Sequence, residues 1–517
     1  MNVLKLLISL SFITFCSRIL GFIRDTFIAY TFGASGLTDA FFLAFKIPNL
    51  FRRIFAEGFF SQIFIPVLSE FKNIHNVKFI KEFISNVLGL MMLFLGIFTF
   101  LGIYFASNIV SIIAPGLNNN PYELYLTTKL LEIVFPYIFF VSLGSLISSI
   151  LNTWNYFFIP ACSPMILNLN IIVFILFFSS YFSVSIFSLA WATLLGGLIQ
   201  VFYQIPFLRR IDMLVFPKLN IKNIGLQTSL KKISIIVIGM LISQISVIIN
   251  TIFSSFLVPG SISWIYYADR LVEFISGIFG VSLGTILLPL LSNSKINTDK
   301  RKYSKLLNWA LRIGCLVAIP SSIVLAILSK IIIIVLFQYG SFSMFDVLMT
   351  KNILIFYSIG LIPLILTKVL LSQFYSKNDF ISPTIISILI LIITQLMNSI
   401  FLPYLQHNSF ALSSSIAAWI NFILLCSILL KKKFFQFEPG WLMFLGKIFI
   451  ASIVMIFILY FNLDVFSNWN SGTMLFKLYQ LILICLLSGC SYLIMLFLLG
   501  FRLRHFLLIE LKKINFE

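Results

Sequence analysis

The sequence predicts an all-α, polytopic membrane protein of about fourteen transmembrane helices, and three observations support this prediction. Hydrophobic residues make up 60% of the 517 positions and charged residues only 10%, whereas a soluble domain carries about 25% charged residues. Apolar runs of about 20 residues, the length that crosses a bilayer core, recur along the whole chain. The largest hydrophilic stretches, near 208–232 and 292–306, have the length of loops and leave no soluble domain.

Each apolar run is predicted to form one membrane span. The first run carries Arg18 and Arg24 and lacks a small-residue cleavage site, so we interpret it as a retained helix rather than a signal peptide. The predicted spans are residues 6–25, 38–66, 83–106, 127–151, 159–180, 185–207, 232–256, 263–291, 307–328, 350–374, 382–403, 409–430, 441–462 and 475–500.

The formal net charge of +19 is interpreted as a topology signal rather than as a nucleic-acid-binding surface. Lys and Arg collect in the cytoplasmic loops of membrane proteins, and here the basic clusters all fall on one side of the predicted spans. We therefore expect both termini to lie in the cytoplasm, and we expect no nucleic-acid partner. The basic clusters lie within 209–232, 295–312, 431–433 and 502–513, and the opposite loops, poor in Lys and Arg, lie at 107–126, 257–262 and 463–474.

An internal repeat, in which motifs recur at one constant offset along the chain, predicts two lobes of six helices each, plus two extra C-terminal helices. Such paired lobes, related by an axis along the membrane normal, are a known transporter plan with the binding site between the lobes. The predicted divisions are 1–220, 221–435 and 436–517, the last holding helices 13 and 14 and a cytoplasmic tail. The alternative to a true repeat is that these motifs match by coincidence, since prolines occur at the ends of many helices. The pairs that share the offset are Pro66 and Pro289, Asn155 and Asn378, and Pro160 and Pro383.

The first two predicted spans carry an unusual number of charges. An ionisable residue at the centre of a span costs roughly 2.5–3.5 kcal/mol on insertion scales, so most spans contain none. Five positive and three negative residues leave a surplus of two positive charges in this region. They are Arg18, Arg24, Asp25, Asp39, Lys46, Arg52, Arg53 and Glu57.

The spacing of these charges predicts how they are arranged. Arg18 and Asp25 are seven residues apart and share a helix face, Arg53 and Glu57 can pair at four residues' spacing, and Pro48 favours a bend. A bent, charged helix is tolerated where it lines a water-filled cavity.

The second half adds charges that do not follow the offset of the repeat, namely Asp269, Arg270, Glu273 and Lys368. Arg270 and Glu273 can pair at three residues' spacing. A surplus of arginine at low dielectric calls for an anion, and the guanidinium fork binds phosphate in bidentate fashion. We therefore predict a cavity for a phosphate-bearing headgroup; the alternative is that the charges neutralise one another between helices.

One long block of sequence resembles a known family. Residues 17–71 read SRILGFIRDTFIAYTFGASGLTDAFFLAFKIPNLFRRIFAEGFFSQIFIPVLSEF, which is similar to the signature region of the lipid II flippases, within the group of multidrug and polysaccharide-lipid exporters. Further similar segments, among them LNTWNYFFIP at 151–160 and SWIYYADRLVEFISGIFGVSLGTILLPLLS at 263–292, extend the resemblance over essentially the whole chain.

The resemblance implies fourteen helices, a central cationic cavity, and transfer of undecaprenyl-diphosphate-linked disaccharide-pentapeptide (lipid II) to the periplasmic leaflet for cell-wall synthesis. It implies that helices 13 and 14 form a groove for the polyprenyl tail. The implied substrate-binding residues are Arg18, Arg24, Arg52 and Arg270, with Ser17, Asp39 and Lys368 as further positions. The implied supporting or gating charges are Asp25, Arg53, Glu57, Asp269 and Glu273.

No cofactor or metal is predicted, because the six Cys and three His are scattered and no CxxC occurs. Some members of the family have a sodium site with a carboxylate in helix 7, but 232–256 contains no Asp or Glu. The expected energy source is the membrane potential, worth roughly 2.3 kcal/mol per charge per 100 mV, or an ion gradient. The expected partners are lipid II, membrane lipids and other proteins of cell-wall synthesis.

Other functions are compatible with parts of this pattern. A flippase for another polyprenyl-linked oligosaccharide would suit the same cavity, whereas an exporter of cationic drugs would call for surplus carboxylates. A membrane enzyme acting on polyprenyl phosphate needs clustered Asp or His, and no DDxxD-like cluster occurs. A scaffold without transport activity would not need unpaired arginines in its spans.

Overall fold

Helices make up almost all of the structure, a computed structural model. It describes residues 3–54, 64–74, 76–219, 244–292, 300–377, 379, 381–432, 435–465, 469 and 472–502, and within these ranges there is no β-strand. The prediction of an all-α, polytopic protein is confirmed. Glu57 and Asn378 lie outside the described residues.

Ten α-helices of the described chain precede residue 260. They are α1 (Val3–Phe32), α2 (Gly36–Arg52), α3 (Ile65–Ile74), α4 (Val77–Tyr104), α5 (Ala106–Ile113), α6 (Pro121–Val134), α7 (Tyr137–Thr153), α8 (Phe158–Val173), α9 (Phe187–Arg210) and α10 (Gln244–Ser254).

Eight further helices complete the described chain. They are α11 (Ser261–Ser292), α12 (Lys300–Ile327), α13 (Ser329–Phe337), α14 (Met344–Ser376), α15 (Ile381–Leu405), α16 (Asn408–Lys431), α17 (Trp441–Val465) and α18 (Met474–Leu498).

Ten helical segments of the described chain are long and apolar enough to cross a membrane. They coincide with ten of the predicted spans, and the other four predicted spans overlap α1, α2, α10 and α11. Parts of two of these four, 55–63 and 232–243, lie outside the described residues. The ten segments are Val77–Tyr104, Pro121–Thr153, Phe158–Tyr181, Phe187–Arg210, Tyr303–Ile327, Met344–Ser376, Ile381–Leu405, Asn408–Lys431, Trp441–Leu463 and Met474–Leu498.

Large apolar side chains cover the outward faces of many of these helices. Phe100 is 69% exposed, Ile400 61% and Phe457 71%. A water-soluble surface does not present so many contiguous apolar side chains, whereas lipid tails match them. The exposed faces therefore have the composition of a lipid-facing surface.

Two helix ends repeat with the same offset as the sequence motifs. α4 (Val77–Tyr104) and α12 (Lys300–Ile327) end at residues that are related by the offset that separates Pro66 from Pro289. Agreement at helix ends that carry no shared motif favours a true repeat over a coincidence between prolines.

By its packing, the chain divides into two compact units. The first comprises Met1–Ser263 with Gly340–Phe342, and the second comprises Trp264–Tyr339 with Ser343–Glu517. The predicted divisions at 220 and 435 describe the repeat rather than this packing, and they stay a prediction.

Polar side chains fix the beginnings of several helices. The Asn120 side chain accepts from the Glu123 amide, with Pro121 in the first helical position of α6. Ser343 and Asp346 form a reciprocal capping box at the start of α14. Each cap satisfies amide groups that the helix itself leaves without a partner.

Two glycines make a close backbone contact in the first unit, where the tripeptide Gly340–Phe342 packs on the end of α1. The Ser341 amide donates to the Tyr30 carbonyl over 2.8 Å. Gly33 and Gly340 have φ of +65° and +57°, and a Cβ on Gly340 would lie 2.2 Å from the Tyr30 carbonyl oxygen. Only glycine fits this place without displacing the backbone.

Candidate functional site

The most deeply buried charges of the first unit are Arg24 and Asp25 of α1, which are 6% and 1% exposed. The Arg24 guanidinium donates to one carboxylate oxygen of Asp25 through Nε (2.9 Å) and Nη2 (2.6 Å). Its Nη1 donates to Oδ1 of Asn168 in α8 over 3.0 Å, and Asn168 Nδ2 donates to the Ser17 carbonyl over 3.4 Å. This network fixes an ionised guanidinium inside a membrane span.

The sequence predicted a shared helix face for Arg18 and Asp25 but no partner for Asp25. In the structure the Asp25 carboxylate pairs with its chain neighbour Arg24. For Arg24, the charge is therefore neutralised by a carboxylate, as in the alternative to an anion-binding cavity. Asn168 was missed, because an amide on a helix distant in sequence carries no local signal.

The other arginines of α1 and α2 differ from Arg24 in their partners. Arg52 donates from Nε to Asn49 Oδ1 over 2.8 Å. Arg18 and Arg53 are half-buried and make no hydrogen bond or ion pair with the described part of the chain. The predicted pair of Arg53 with Glu57 lies outside the described residues.

Asp39, near the start of α2, is buried and holds the backbone at the beginning of α11. One carboxylate oxygen accepts from the Gly260 amide over 2.7 Å. The other accepts from the Ser263 amide over 2.8 Å and from the Ser263 hydroxyl over 2.5 Å. Asp39 therefore supplies a cap to the first turn of a helix that is distant from it in sequence.

Two cavities of the first unit flank α2. A polar cavity of about 210 Å³ is lined by Asp39, Glu123 and Ser255 among others. An apolar cavity of about 230 Å³ lies beside Lys46, whose ammonium donates to the Thr251 hydroxyl over 3.4 Å. Lys46 thus reaches α10, a contact that the spacing within α2 did not predict.

In the second unit, Arg270 and Glu273 of α11 form the predicted ion pair, with Nη1 and Oε2 separated by 2.9 Å. Arg270 Nε also donates to the Tyr266 hydroxyl over 3.2 Å, and the guanidinium lies 5.3 Å from the centre of that ring. Asp269 is exposed beside them.

Lys368 of α14 contacts the backbone of α11. Its ammonium donates to the Ser276 carbonyl over 3.1 Å. A Cβ on Gly280 would lie 2.8 Å from Lys368 Cδ, so glycine makes room for the lysine stem. No sequence pattern predicted this contact, because Gly280 falls within an apolar run.

The predicted substrate-binding residues are therefore divided between the two units. Arg18, Arg24 and Arg52 belong to the first, with Ser17 and Asp39, whereas Arg270 and Lys368 belong to the second. Their convergence on one cationic cavity stays a prediction.

A sequence model of the family described as "Lipid II flippase MurJ" matches residues 28–480. The chain belongs to the MurJ family of lipid II flippases. It is 58% identical to the probable lipid II flippase MurJ of Buchnera aphidicola subsp. Baizongia pistaciae, over 98% of this chain and 99% of that one. It is 38% identical to the lipid II flippase MurJ of Burkholderia cenocepacia, also over 98% and 99%.

Solved structures agree with this family. A lipid II flippase MurJ in an inward closed conformation superposes with a TM-score of 0.79 at 29% identity, over 94% of this chain and 98% of that one. An inward-facing multidrug transporter of the MATE family gives a TM-score of 0.67 over 82% and 98%, but at 11% identity it shows the fold alone.

MurJ membership confirms the resemblance seen in residues 17–71. It makes the chain a multi-pass bacterial membrane protein and a transporter rather than an enzyme. The multidrug alternative is not favoured, because the full-length relatives at high identity are lipid II flippases and the drug exporters share only the fold.

Proposed function

We propose that this protein flips lipid II from the cytoplasmic to the periplasmic leaflet of the bacterial inner membrane for cell-wall synthesis. It does so by alternating access of two six-helix lobes around a central cationic cavity. Membership in the MurJ family over residues 28–480 supports this function, and so does the identity shared with full-length relatives.

The observation that carries the mechanism is the charge balance of α1 and α2. Five cations lie in this region, and its two described carboxylates, Asp25 and Asp39, are both engaged by protein groups. Arg18 and Arg53 make no polar contact with the described chain. A diphosphate offers the oxygens that such guanidinium groups bind best.

Each predicted residue takes a role in this proposal. The diphosphate contacts are Arg18, Arg24, Arg52 and Arg270, with Ser17, Asp39 and Lys368 as further substrate-binding positions. Asp25 and Glu273 orient Arg24 and Arg270 through the ion pairs described above. The remaining supporting or gating charges are Arg53, Glu57 and Asp269.

The orientation follows from the basic loops. Both termini lie in the cytoplasm, because the Lys- and Arg-rich connections then face inward. With the inside negative, an anionic headgroup gains free energy as it moves outward, roughly 2.3 kcal/mol per charge per 100 mV. The membrane potential then drives the flip without a cofactor.

The polyprenyl tail stays in the membrane beside α17 and α18. Phe449, Phe457 and Leu486 are 66%, 71% and 61% exposed, so these helices present apolar faces to it. Membrane lipids and other proteins of cell-wall synthesis are the further partners.

The function is tested by depleting the protein in cells and measuring access of labelled lipid II to an enzyme that is added outside the cytoplasmic membrane. Loss of access on depletion, restored by the wild-type gene, is expected. Unchanged access in cells without a second flippase would reject the function.

The mechanism is tested with Arg18→Met and Arg270→Met in the same cells. Each is expected to abolish restoration at normal membrane levels, because a methionine fills the space without binding phosphate. Arg210→Met is the matched control, since Arg210 lies at the end of α9 over the Phe207 ring and outside the predicted set. Full restoration by both test variants would remove the cationic cavity from the mechanism.

Energy coupling is tested in proteoliposomes with an imposed potassium diffusion potential. Flipping should accelerate with the potential in the outward direction. A rate that follows a sodium or proton gradient and ignores the potential would assign coupling to that ion.

A further inference from the structure

A buried lysine lies at the beginning of α18, where a positive charge is disfavoured. Lys477 is 5% exposed and follows the cap residue Thr473 by four positions. The amino end of a helix already carries a partial positive charge, so an ammonium there adds to the unfavourable potential. Both effects would be relieved by an anion.

The surroundings of Lys477 supply a ring but no counter-ion. Its ammonium lies 5.5 Å from the centre of the Tyr339 ring, and it makes no hydrogen bond or ion pair with the part of the chain that the structure describes. A cation–π contact contributes about 0.5–2 kcal/mol, whereas taking an ion out of water costs several kcal/mol. The ring alone therefore does not offset the burial of this charge.

Two polar atoms of Tyr339 and of the residue before it are also without partners. The Tyr339 hydroxyl and the Gln338 side-chain carbonyl are buried and make no hydrogen bond with the described chain. The other end of the Gln338 amide donates to Met344 Sδ over 3.6 Å. Buried polar atoms normally find a partner. An unpaired hydroxyl on the ring that the ammonium contacts, and an unpaired carbonyl on the preceding residue, therefore mark a place for a ligand.

The position of Lys477 indicates where that ligand comes from. Four residues of helix correspond to about 6 Å, so the ammonium lies close to the end of the span, at the level of lipid headgroups. Its neighbours Leu475, Phe476 and Tyr479 are 80%, 51% and 61% exposed, as expected of side chains that face lipid at a membrane boundary. These side chains lie on the faces of α18 that turn away from Lys477, and they place this end of the helix at the membrane boundary. The anionic groups abundant at that boundary are the phosphates of lipid headgroups.

We propose that Lys477 and Tyr339 bind the phosphate of an anionic phospholipid headgroup, at a site separate from the proposed substrate cavity. The ammonium and the phenolic hydroxyl donate to phosphate oxygens. The Gln338 carbonyl accepts from a headgroup hydroxyl, which favours phosphatidylglycerol over a choline lipid. The site lies on the side of the membrane opposite the basic loops.

The proposal is tested by thermal unfolding of the full-length protein in detergent. Short-chain phosphatidylglycerol, short-chain phosphatidylcholine and inorganic phosphate are added separately at matched concentrations. Phosphatidylglycerol is expected to raise the Tm most, because a ligand that binds only the folded state stabilises it. If inorganic phosphate raises the Tm equally, the ligand is not a lipid and the proposal is wrong. If phosphatidylcholine raises the Tm equally, the site does not recognise an anionic headgroup.

Two variants locate the effect. Lys477→Met should weaken the apparent affinity for phosphatidylglycerol about tenfold or more, because the charge-assisted bond is lost. Lys447→Met is the matched control, since Lys447 lies in α17 at 5.6 Å from the Phe501 ring and has the same kind of cation–π contact. Equal affinities for Lys477→Met and Lys447→Met would overturn the site.

Tyr339→Phe keeps the ring and removes only the hydroxyl. With an empty site, removing a buried hydroxyl that has no partner leaves stability unchanged or raises it. With a bound phosphate, the same change lowers the apparent affinity for phosphatidylglycerol several-fold. An unchanged affinity would remove Tyr339 from the site and contradict the proposal.

Discussion

The contact between Gly340 and the end of α1 gives a prediction whose magnitude follows from the structure. In Gly340→Ala, the left-handed backbone at φ +57° costs about 1–2 kcal/mol for a residue with a Cβ. The new Cβ would lie 2.2 Å from the Tyr30 carbonyl oxygen, whereas close carbon–oxygen contacts are about 3.3–3.6 Å. The two backbones must therefore separate by about 1 Å.

That separation breaks the 2.8 Å hydrogen bond from the Ser341 amide to Tyr30, worth about 1 kcal/mol net. Together the two effects should lower the free energy of unfolding by about 2–3 kcal/mol. Denaturant unfolding in detergent micelles measures this loss.

Two matched glycines separate the causes. Gly440 has φ of +91° and open space around it, so Gly440→Ala should show the backbone cost alone. Gly96 lies inside α4 with nothing within 4 Å, so Gly96→Ala should stabilise by up to about 1 kcal/mol. Equal losses for Gly340→Ala and Gly440→Ala would refute the argument from close contact.

Three further predictions concern buried polar groups. Asn168→Ala should destabilise by about 1–3 kcal/mol in the same unfolding assay, because it leaves one nitrogen of Arg24 without its acceptor; an unchanged midpoint would mean that water replaces the amide. Ser263→Ala removes one of the bonds to Asp39 and should cost about 1–3 kcal/mol, with Ser399→Ala, an exposed hydroxyl bonded within its own helix, as the near-neutral control. Burial lowers the pKa of His407, which lies in the connection before α16, below its ordinary value of 6.5. As the pH falls below 6.5 the unfolded chain takes up this proton first, so stability should fall; a His407→Gln variant with the same pH dependence as the wild type would contradict this.

The span positions could be predicted because bilayer thickness imposes a minimum apolar length. The predicted span 441–462 corresponds to α17 (Trp441–Val465), and 475–500 corresponds to α18 (Met474–Leu498). The short helices α5 and α13 were missed, since eight or nine residues are too few to cross a bilayer and leave no span signal.

The charged positions could also be found, because an ionisable residue within an apolar run is conspicuous. Their partners could not. The ion pair of Arg270 and Glu273 lies within one helical turn and was predicted. Asp39, in contrast, bonds to Gly260 and Ser263, which are more than 200 residues away in sequence, so spacing along one helix could not predict these partners. Partners on other helices depend on how the helices pack, which no local pattern specifies.

The shared offset of the ends of α4 and α12 has a consequence for how the chain tolerates change. Tyr104 and Ile327 end their helices at equal distances in sequence from Pro66 and Pro289, although the two helices differ at most positions. Spacing along the chain is therefore kept where side-chain identity is not. A one-residue deletion inside α4 or α12 turns every following side chain by about 100° around the helix axis, so it should be tolerated less well than most substitutions there.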